Sequence, residues 1–430
     1  MSTAMNTELT VAAWPGLSPR LLRTGSASES LDMYRHSGGY QPLTDPGSLL
    51  EEIGKAAVVG RGGAAFPMAV KLTTVRTASL QGLDTVLVAN GEEGEPASVK
   101  DRWLLRHRPH LVLDGLRLAA LIIGARHAHV YVSDHAAAES IRVALGEVGA
   151  DGLDGVTVSV CRVDAGYVAG EETAAVRAIN GGPAKPTDKP PRPFEEGVGG
   201  LPTVVSNVET LANLPYVHQH GAAAYRNVGT DGSAGTFLAT VTGGGRPPGL
   251  YEVPFGASAA EIIALHGIPT DRVRGALMGG YFAGLLDRRI LDVTMDHESL
   301  RAAGSGLGCG AVSVLTDECP VAVGASVLAY YDRENADQCG SCFNGTAAMA
   351  AAAGALRDGT ADTEDVARLT RWSEVLRGRG ACATLDAACN IAASMLTMFA
   401  DDVARHLDRQ CPGCDETAFA ALRPFEVEPQ

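Results

Sequence analysis

Three short β-branched runs, TVLVA at 85–89, HVYVS at 129–133 and VTVSVCRV at 156–163, are separated by stretches of helical periodicity. Parallel neighbours in a sheet need a crossover, usually a helix, so this alternation predicts an α/β sheet. Ligands of open α/β sheets bind outside the carboxyl ends of the strands. The first run ends in the acidic loop NGEEGEP at 90–96, and the third leads within a few residues to YVAGEET at 167–173. Both loops are therefore placed to share one site. Upstream lies Gly60-Arg61-Gly62-Gly63-Ala64-Ala65-Phe66-Pro67, whose glycines free backbone amides to approach a phosphate or flat ring, with Pro67 suited to the first position of a helix. The combination points to a flavin or nucleotide cradle.

The 430 residues, 46% hydrophobic with 51 glycines, suffice for sizeable cores in two to four domains. A net charge of −15 argues against nucleic acid or an anionic membrane surface as partner. Residues 1–19 lack the basic and apolar regions of a secretory signal, and the apolar stretch 116–132 is broken by Arg117, Arg126 and two histidines. A cytoplasmic protein without direct membrane insertion is expected.

Along the chain, 1–45 reads as an irregular arm, 46–230 as the α/β domain, 235–318 as a small β-rich domain, 320–410 as an alanine-rich helical bundle and 411–430 as a tail. Within the α/β part, helices are expected over 48–57 and 173–179, followed by a long loop or lid over 181–202 carrying Lys185, Lys189 and Arg192. Ser206-Asn207-Val208-Glu209 has the spacing of a capping box opening a short helix that Pro215 closes.

Nine cysteines lie at 161, 309, 319, 339, 342, 382, 389, 411 and 414, and all but Cys161 fall in the last third of the chain. In a reducing compartment such clustering indicates metal ligands more often than disulfides. Cys339-Gly340-Ser341-Cys342 and Cys382 can converge three thiolates between helices, which suits an iron–sulfur cluster, a zinc site or inert buried thiols. The bland alternatives extend to the loops: Glu92, Glu93 and Glu95 read equally as a solvated turn, and Ser206 with Glu209 as a plain helix cap.

The ordered set GRGGAAFP…K, VANGEEGEP…KDR, YVAGEETA, KPPRP, VVSNVETLANLP and QCGSC…GACA resembles the flavoprotein (51 kDa) subunit of respiratory complex I, a family found also in NAD-linked hydrogenases and formate dehydrogenases. The likeness spans about 48–407. It implies an FMN-binding α/β domain, a ubiquitin-like β-grasp (SLBB-type) domain and a helical domain holding a [4Fe–4S] cluster. It further implies that NADH gives a hydride to FMN and that electrons leave singly through the cluster. Carried over position by position, Gly60, Arg61, Gly62, Gly63, Lys71, Asn90, Glu92, Tyr167, Gly170, Glu171, Glu172, Asn207 and Thr210 would line the FMN site. Phe66, Glu95 and Lys189 would face NADH, and Lys71 and Glu95 would carry the chemistry. Lys71 lies one turn beyond Pro67, where its charge can meet negative charge developing on a flavin, and Glu95 and Glu172 would disfavour the extra phosphate of NADPH.

The chain departs from the family in two places. The family's Cys-x-x-Cys-x-x-Cys has Ala336 at its first position, so a fourth cluster ligand must come from elsewhere; Cys411 is expected, with Asp337, Cys309, Cys389 and Cys414 as substitutes. Two aromatic positions that stack on adenine in the family are Thr74 and Arg192 here, which leaves Phe66, with Arg192 able to stack through its planar guanidinium. Besides NADH oxidation, an FMN protein exchanging electrons with ferredoxin, or a non-catalytic scaffold subunit, stays open. The expected partner in a hetero-oligomer is a [2Fe–2S] thioredoxin-like subunit or a ferredoxin.

Overall fold

The computed structural model describes residues 8–23, 28–149, 152–414 and 418–428. Among them ten strands form two sheets. In chain order these are β1 (Thr10–Ala13), β2 (Val86–Asn90), β3 (His127–Val132), β4 (Thr157–Arg162), β5 (Thr203–Asn207), β6 (Thr236–Gly243), β7 (Arg246–Pro254), β8 (Gly275–Met278), β9 (Leu285–Asp287) and β10 (Ala311–Leu315).

The first sheet is wholly parallel, in the order β4-β3-β2-β5. The three β-branched runs supply β4, β3 and β2. The fourth strand, β5, is hidden in the motif VVSN behind a proline-rich stretch. Helices cover the central strands, and four of the five β2 residues are buried, as a sheet covered on both faces requires. Helix Pro109–Ile123 starts on its proline, is almost wholly buried, and ends at Gly124 with φ 76°. It crosses helix Val208–Ala212 so closely that a Cβ on Gly115 would lie 2.0 Å from the Leu211 carbonyl oxygen, so only glycine fits there.

The second sheet has the order β1-β7-β6-β10-β8-β9, with β6 and β7 a hairpin and β10 parallel to β6. Its edge strand β1 corrects the expectation of an irregular arm over 1–45: Thr10–Ala13 pairs in parallel with Gly249 to Glu252 of β7. The buried Glu252 then accepts the backbone N–H groups of Arg20 (2.9 Å), Leu21 (2.9 Å) and Leu22 (3.0 Å), so the arm is held by an internal carboxylate rather than by its own periodicity.

Helices Pro320–Glu334, Gly340–Arg357, Thr363–Val375, Thr384–Met398 and Ala400–Leu407 form the C-terminal bundle. The helical run over 384–407 breaks at Phe399, whose φ of −125° and ψ of 40° are not helical. A second boundary also moves. Pro215 opens helix Leu214–Arg226 instead of closing the preceding one.

Candidate flavin and iron–sulfur site

The site is assembled where β2 and β5 end side by side, with Asn90 paired in register to Asn207. The glycine loop reaches this edge as a closed excursion: Gly60 N–H donates to the Phe66 carbonyl at 2.9 Å, and Met68 N–H to the Val58 carbonyl at 2.9 Å. A Cβ on Gly62 would lie 3.3 Å from the Asn207 Cβ, so the loop lies directly over the end of β5. Arg61 N–H donates to Thr210 Oγ1 at 2.9 Å, which docks the loop on helix Val208–Ala212.

The two acidic loops meet as expected. Asn90 Nδ2 donates to the Gly170 carbonyl at 2.7 Å, tying the end of β2 to the second loop. Glu92 is buried and accepts Gly166 N–H at 3.4 Å through Oε1, while Oε2 has no partner among the described residues. Burial raises the Glu92 pKa, against the donors at Ser133 and Gly166. Glu171 caps helix Glu172–Ile179, accepting Thr173 N–H at 2.7 Å.

Lys71 and Lys189 flank these carboxylates. Lys71 Nζ donates to the Val205 carbonyl at 2.8 Å and lies 3.8 Å from Glu172 Oε2; burial lowers its pKa, with Glu172 opposing and Lys189 reinforcing. Lys189 Nζ lies 2.6 Å from Glu171 Oε1 and 3.3 Å from Glu172 Oε1, and these partners outweigh burial to raise its pKa. Phe66 stands 48% exposed on the rim, free to present its ring. Thr74 and Arg192 are exposed, and the Thr74 hydroxyl is taken by the Val70 carbonyl of its own helix at 2.9 Å. Beyond Glu171 a cleft of about 420 Å³ opens between helix Glu172–Ile179 and the segment 187–200, lined by Thr173, Arg177, Asp188 and Glu196 but not by the glycine loop.

Three site residues sit differently from the expectation. The Arg61 side chain turns inward: its Nη2 donates to the Tyr225 hydroxyl at 3.2 Å and the Thr236 carbonyl at 3.1 Å, and its guanidinium stacks 4.6 Å from the Phe255 ring centre. Only its backbone belongs to the loop. Glu95 turns toward the second sheet, where Oε2 accepts Tyr281 N–H at 2.9 Å and Oε1 accepts Ala97 N–H at 3.3 Å. The residue keeps an edge toward solvent, but its carboxyl is enclosed by tyrosines, and burial raises its pKa to about 8. Tyr167 packs edge-on to Tyr330 and Tyr331 and hydrogen-bonds the Tyr331 hydroxyl at 3.0 Å, joining the acidic loop to the helical bundle.

Sequence reasoning missed a buried charge network beneath the loops. Lys100 Nζ lies 2.8 Å from Asp101 Oδ1 and 2.9 Å from Glu209 Oε2, and Asn207 Nδ2 donates to Asp101 Oδ2 at 2.6 Å. Asn207, not Ser206, caps its helix, and Glu209 uses Oε1 to accept Leu238 N–H of β6 at 3.0 Å. The two acidic partners hold Lys100 protonated despite its burial. The lysine stood in plain view in the KDR motif; nothing local marks it as buried.

In the bundle, Cys339 caps helix Gly340–Arg357, Cys342 lies one turn on, and Cys382 faces them from the loop before helix Thr384–Met398. Ala381 N–H donates to Cys339 Sγ at 3.4 Å, which draws the two segments together. Burial, then the neighbouring Cys382 and Cys339, pushes the Cys342 thiol up to about 12. Crowded thiols of this kind become thiolates only beside a cationic centre, so the three residues fit an iron–sulfur centre. Cys411 does not join them. Its sulfur lies 3.8 Å from Cys319 Sγ, in a different constellation, which corrects its expected place as fourth cluster ligand. The flavin side passes a similar test: a glycine cradle, two lysines and the unpartnered Glu92 oxygen fit an anionic, hydrogen-bonding flavin nucleotide.

A parallel sheet with a glycine cradle at its carboxyl edge, joined to a thiolate cluster in a helical bundle, defines an electron-transferring flavoprotein. Residues 53–216 match the family described as the Nuo51 FMN-binding domain, and residues 322–406 match the NADH-ubiquinone oxidoreductase-F iron-sulfur binding region. An NADH-quinone oxidoreductase subunit of Rhizobium meliloti (strain 1021) is 33% identical over 92% of this chain and 99% of its own length. The mitochondrial NADH dehydrogenase [ubiquinone] flavoprotein 1 of Dictyostelium discoideum is 33% identical over 79% of this chain and 74% of its own. A chain of the NAD+-reducing [NiFe]-hydrogenase in the H2-reduced state superimposes with a TM-score of 0.78 at 30% identity, over 84% of this chain and 63% of that one. The chain belongs to the family of the 51 kDa flavoprotein subunit of NADH-quinone oxidoreductase. It is an NADH dehydrogenase-type oxidoreductase, with FMN and an iron–sulfur centre as cofactors and NADH as hydride donor.

Proposed function

We propose that Gly60, Gly62, Gly63, the Arg61 backbone, Lys71, Asn90, Glu92, Gly170, Glu171, Glu172, Asn207 and Thr210 form the FMN cradle, with Phe66 and Lys189 at the NADH side. Bound FMN would accept a hydride from NADH and release electrons one at a time. The observation carrying this assignment is the meeting of the glycine loop, both acidic loops and two lysines at the carboxyl ends of β2 and β5, around a buried carboxylate oxygen without a partner. Lys71 supplies positive charge where negative charge develops on reduction, and burial holds its pKa below the usual lysine value. Glu171 and Glu172 orient Lys189, and carboxylates at this rim disfavour a 2′-phosphate. Tyr167, Tyr330 and Tyr331 fill the space between cradle and bundle and keep water from it.

Cys339, Cys342 and Cys382 hold the iron–sulfur centre. Asp337, among the charged neighbours of Cys342, supplies the fourth corner of a [4Fe–4S] cluster in place of the missing thiolate. The six-stranded sheet is the ubiquitin-like, SLBB-type domain with an added N-terminal strand; the β6–β7 hairpin, helix Ala259–Leu265 and a β10 parallel to β6 support that reading. The chain works in a hetero-oligomer, passing electrons to a [2Fe–2S] thioredoxin-like subunit or a ferredoxin.

The test is an anaerobic absorbance titration of the FMN-reconstituted chain with NADH, with iron and sulfide analysis alongside. Bleaching of the flavin band near stoichiometric NADH is expected. A flavin that dithionite reduces and NADH does not would transfer the assignment to a ferredoxin-linked reaction, the outcome the missing aromatics at Thr74 and Arg192 would favour.

A further inference from the structure

Cys319, His406, Cys411 and Cys414 bring their ligand atoms within 4.8 Å of one another. Cys319 Sγ lies 3.1 Å from His406 Nε2 and 3.8 Å from Cys411 Sγ, and Cys414 Sγ lies 3.8 Å from His406 Nε2. Tetrahedral bonds of ~2.3 Å to sulfur and ~2.0 Å to nitrogen set ligand atoms about 3.5–3.8 Å apart around a single zinc ion. Two of these separations, at 3.8 Å, match that value, and the third, at 3.1 Å, is a few tenths of an ångström shorter. An iron–sulfur cluster, with several irons between its ligands, needs a wider cage.

The four residues come from three segments. Cys319 precedes helix Pro320–Glu334, His406 sits in the last turn of helix Ala400–Leu407, and Cys411-Pro412-Gly413-Cys414 forms the turn that follows. The His406 ring is also hydrogen-bonded by the backbone at Leu356 and Arg357, the kind of outer contact that fixes the tautomer of a metal-bound imidazole. Cys319, His406 and Cys411 are buried and Cys414 is half-buried. The matched iron–sulfur region covers 322–406, so all three cysteines lie outside it.

We propose that Cys319, His406, Cys411 and Cys414 bind one structural zinc ion, separate from the iron–sulfur centre. Three thiolates and one imidazole fill all four positions, so the ion has no open site for substrate and its role is architectural. What it anchors is the C-terminal tail. Beyond the site the tail crosses the molecule: Arg333 donates to the Leu422 carbonyl, Tyr281 to the Pro424 carbonyl, and Val427 N–H to the Pro96 carbonyl at 2.9 Å. The metal pins one end of a strap whose other end rests on the acidic loop and on the tyrosine that holds Glu95.

Metal analysis of the full chain isolated with its flavin and iron is expected to find one zinc per chain. Cys411→Ser with Cys414→Ser is expected to remove at least nine-tenths of the zinc, leave iron and sulfide per chain unchanged, and expose the tail to limited proteolysis. Cobalt incorporated into the unmutated chain during expression is expected to show the thiolate charge-transfer and d–d bands of a tetrahedral three-thiolate site, a readout that needs no variant. A chain without zinc and without those cobalt bands, or loss of iron in step with zinc in the double variant, overturns the proposal.

Discussion

Glu95 shows how a single side chain can be reassigned by its surroundings. Gly280, at φ 74°, passes so close that a Cβ there would lie 2.4 Å from the Glu95 Cδ, so the carboxyl rests against bare backbone. With a folded pKa of about 8, raised by burial, Glu95 keeps its proton while the unfolded chain loses one above the ordinary carboxylate range. Its effect on stability is therefore most favourable at low pH and declines as pH rises from about 4.5 to 8. Glu95→Gln is expected to remove that decline. In thermal melts, the variant should gain on the parent steadily between about pH 5 and pH 8; a constant gap would show that Glu95 is ionised throughout. The sequence identified Glu95 as chemically important through its motif. It could not show that Tyr281, Tyr330 and Tyr331, remote in the chain, surround it, because burial is a property of contacts and not of neighbours along the backbone.

At the scale of elements, β2, β3 and β4 were legible as β-branched runs; β2 and β3 are the central strands, as a sheet covered on both faces favours, while β4 is an edge strand whose residues are exposed or half-buried. β5, lying behind a proline-rich stretch, and the four-residue edge strand β1, held by β7 far along the chain, were not. The segment before helix Gly340–Arg357 is the instructive case for function. Lys185 Nζ donates to the Ala336 carbonyl at 2.9 Å, and Gln338 Nε2 to the Pro186 carbonyl at 2.7 Å, so the proline-rich loop of the α/β domain holds the backbone at the missing cluster position. Ala336→Cys restores the family's spacing on a backbone already held in place. It is expected to replace Asp337 as the fourth ligand, leaving iron near four per cluster while stabilising the centre to air and altering the resonance of the reduced cluster. An unchanged resonance would mean that position 336 does not reach the cluster and would count against Cys339, Cys342 and Cys382 as its ligands.

Across the whole molecule, the junction between the two sheets is carried by charge rather than by apolar packing alone. Lys100 stands between Asp101 and Glu209, while Glu209 reaches β6 through Leu238 N–H. Lys100→Met leaves the buried Asp101 without a cation and Glu209 with only Arg61 Nε at 3.8 Å, and is expected to destabilise the chain by about 3–5 kcal/mol in denaturant unfolding. A loss below about 1 kcal/mol would mean that one carboxylate is already protonated and the pair carries little. No helix among the described residues is long and apolar enough to cross a membrane, in keeping with the broken apolar stretch at 116–132. By itself the sequence determined the α/β alternation, the cofactor loops, the family and the three clustered thiols, since each is written in local spacing or ordered motifs. Tertiary structure alone decided which way Arg61 and Glu95 face, that Lys100 lies buried among acids, and that Cys411 joins Cys319 and His406 instead of Cys339. Those outcomes depend on which distant segments pack together, and packing sets burial, charge state and ligand sets in ways that local spacing does not encode.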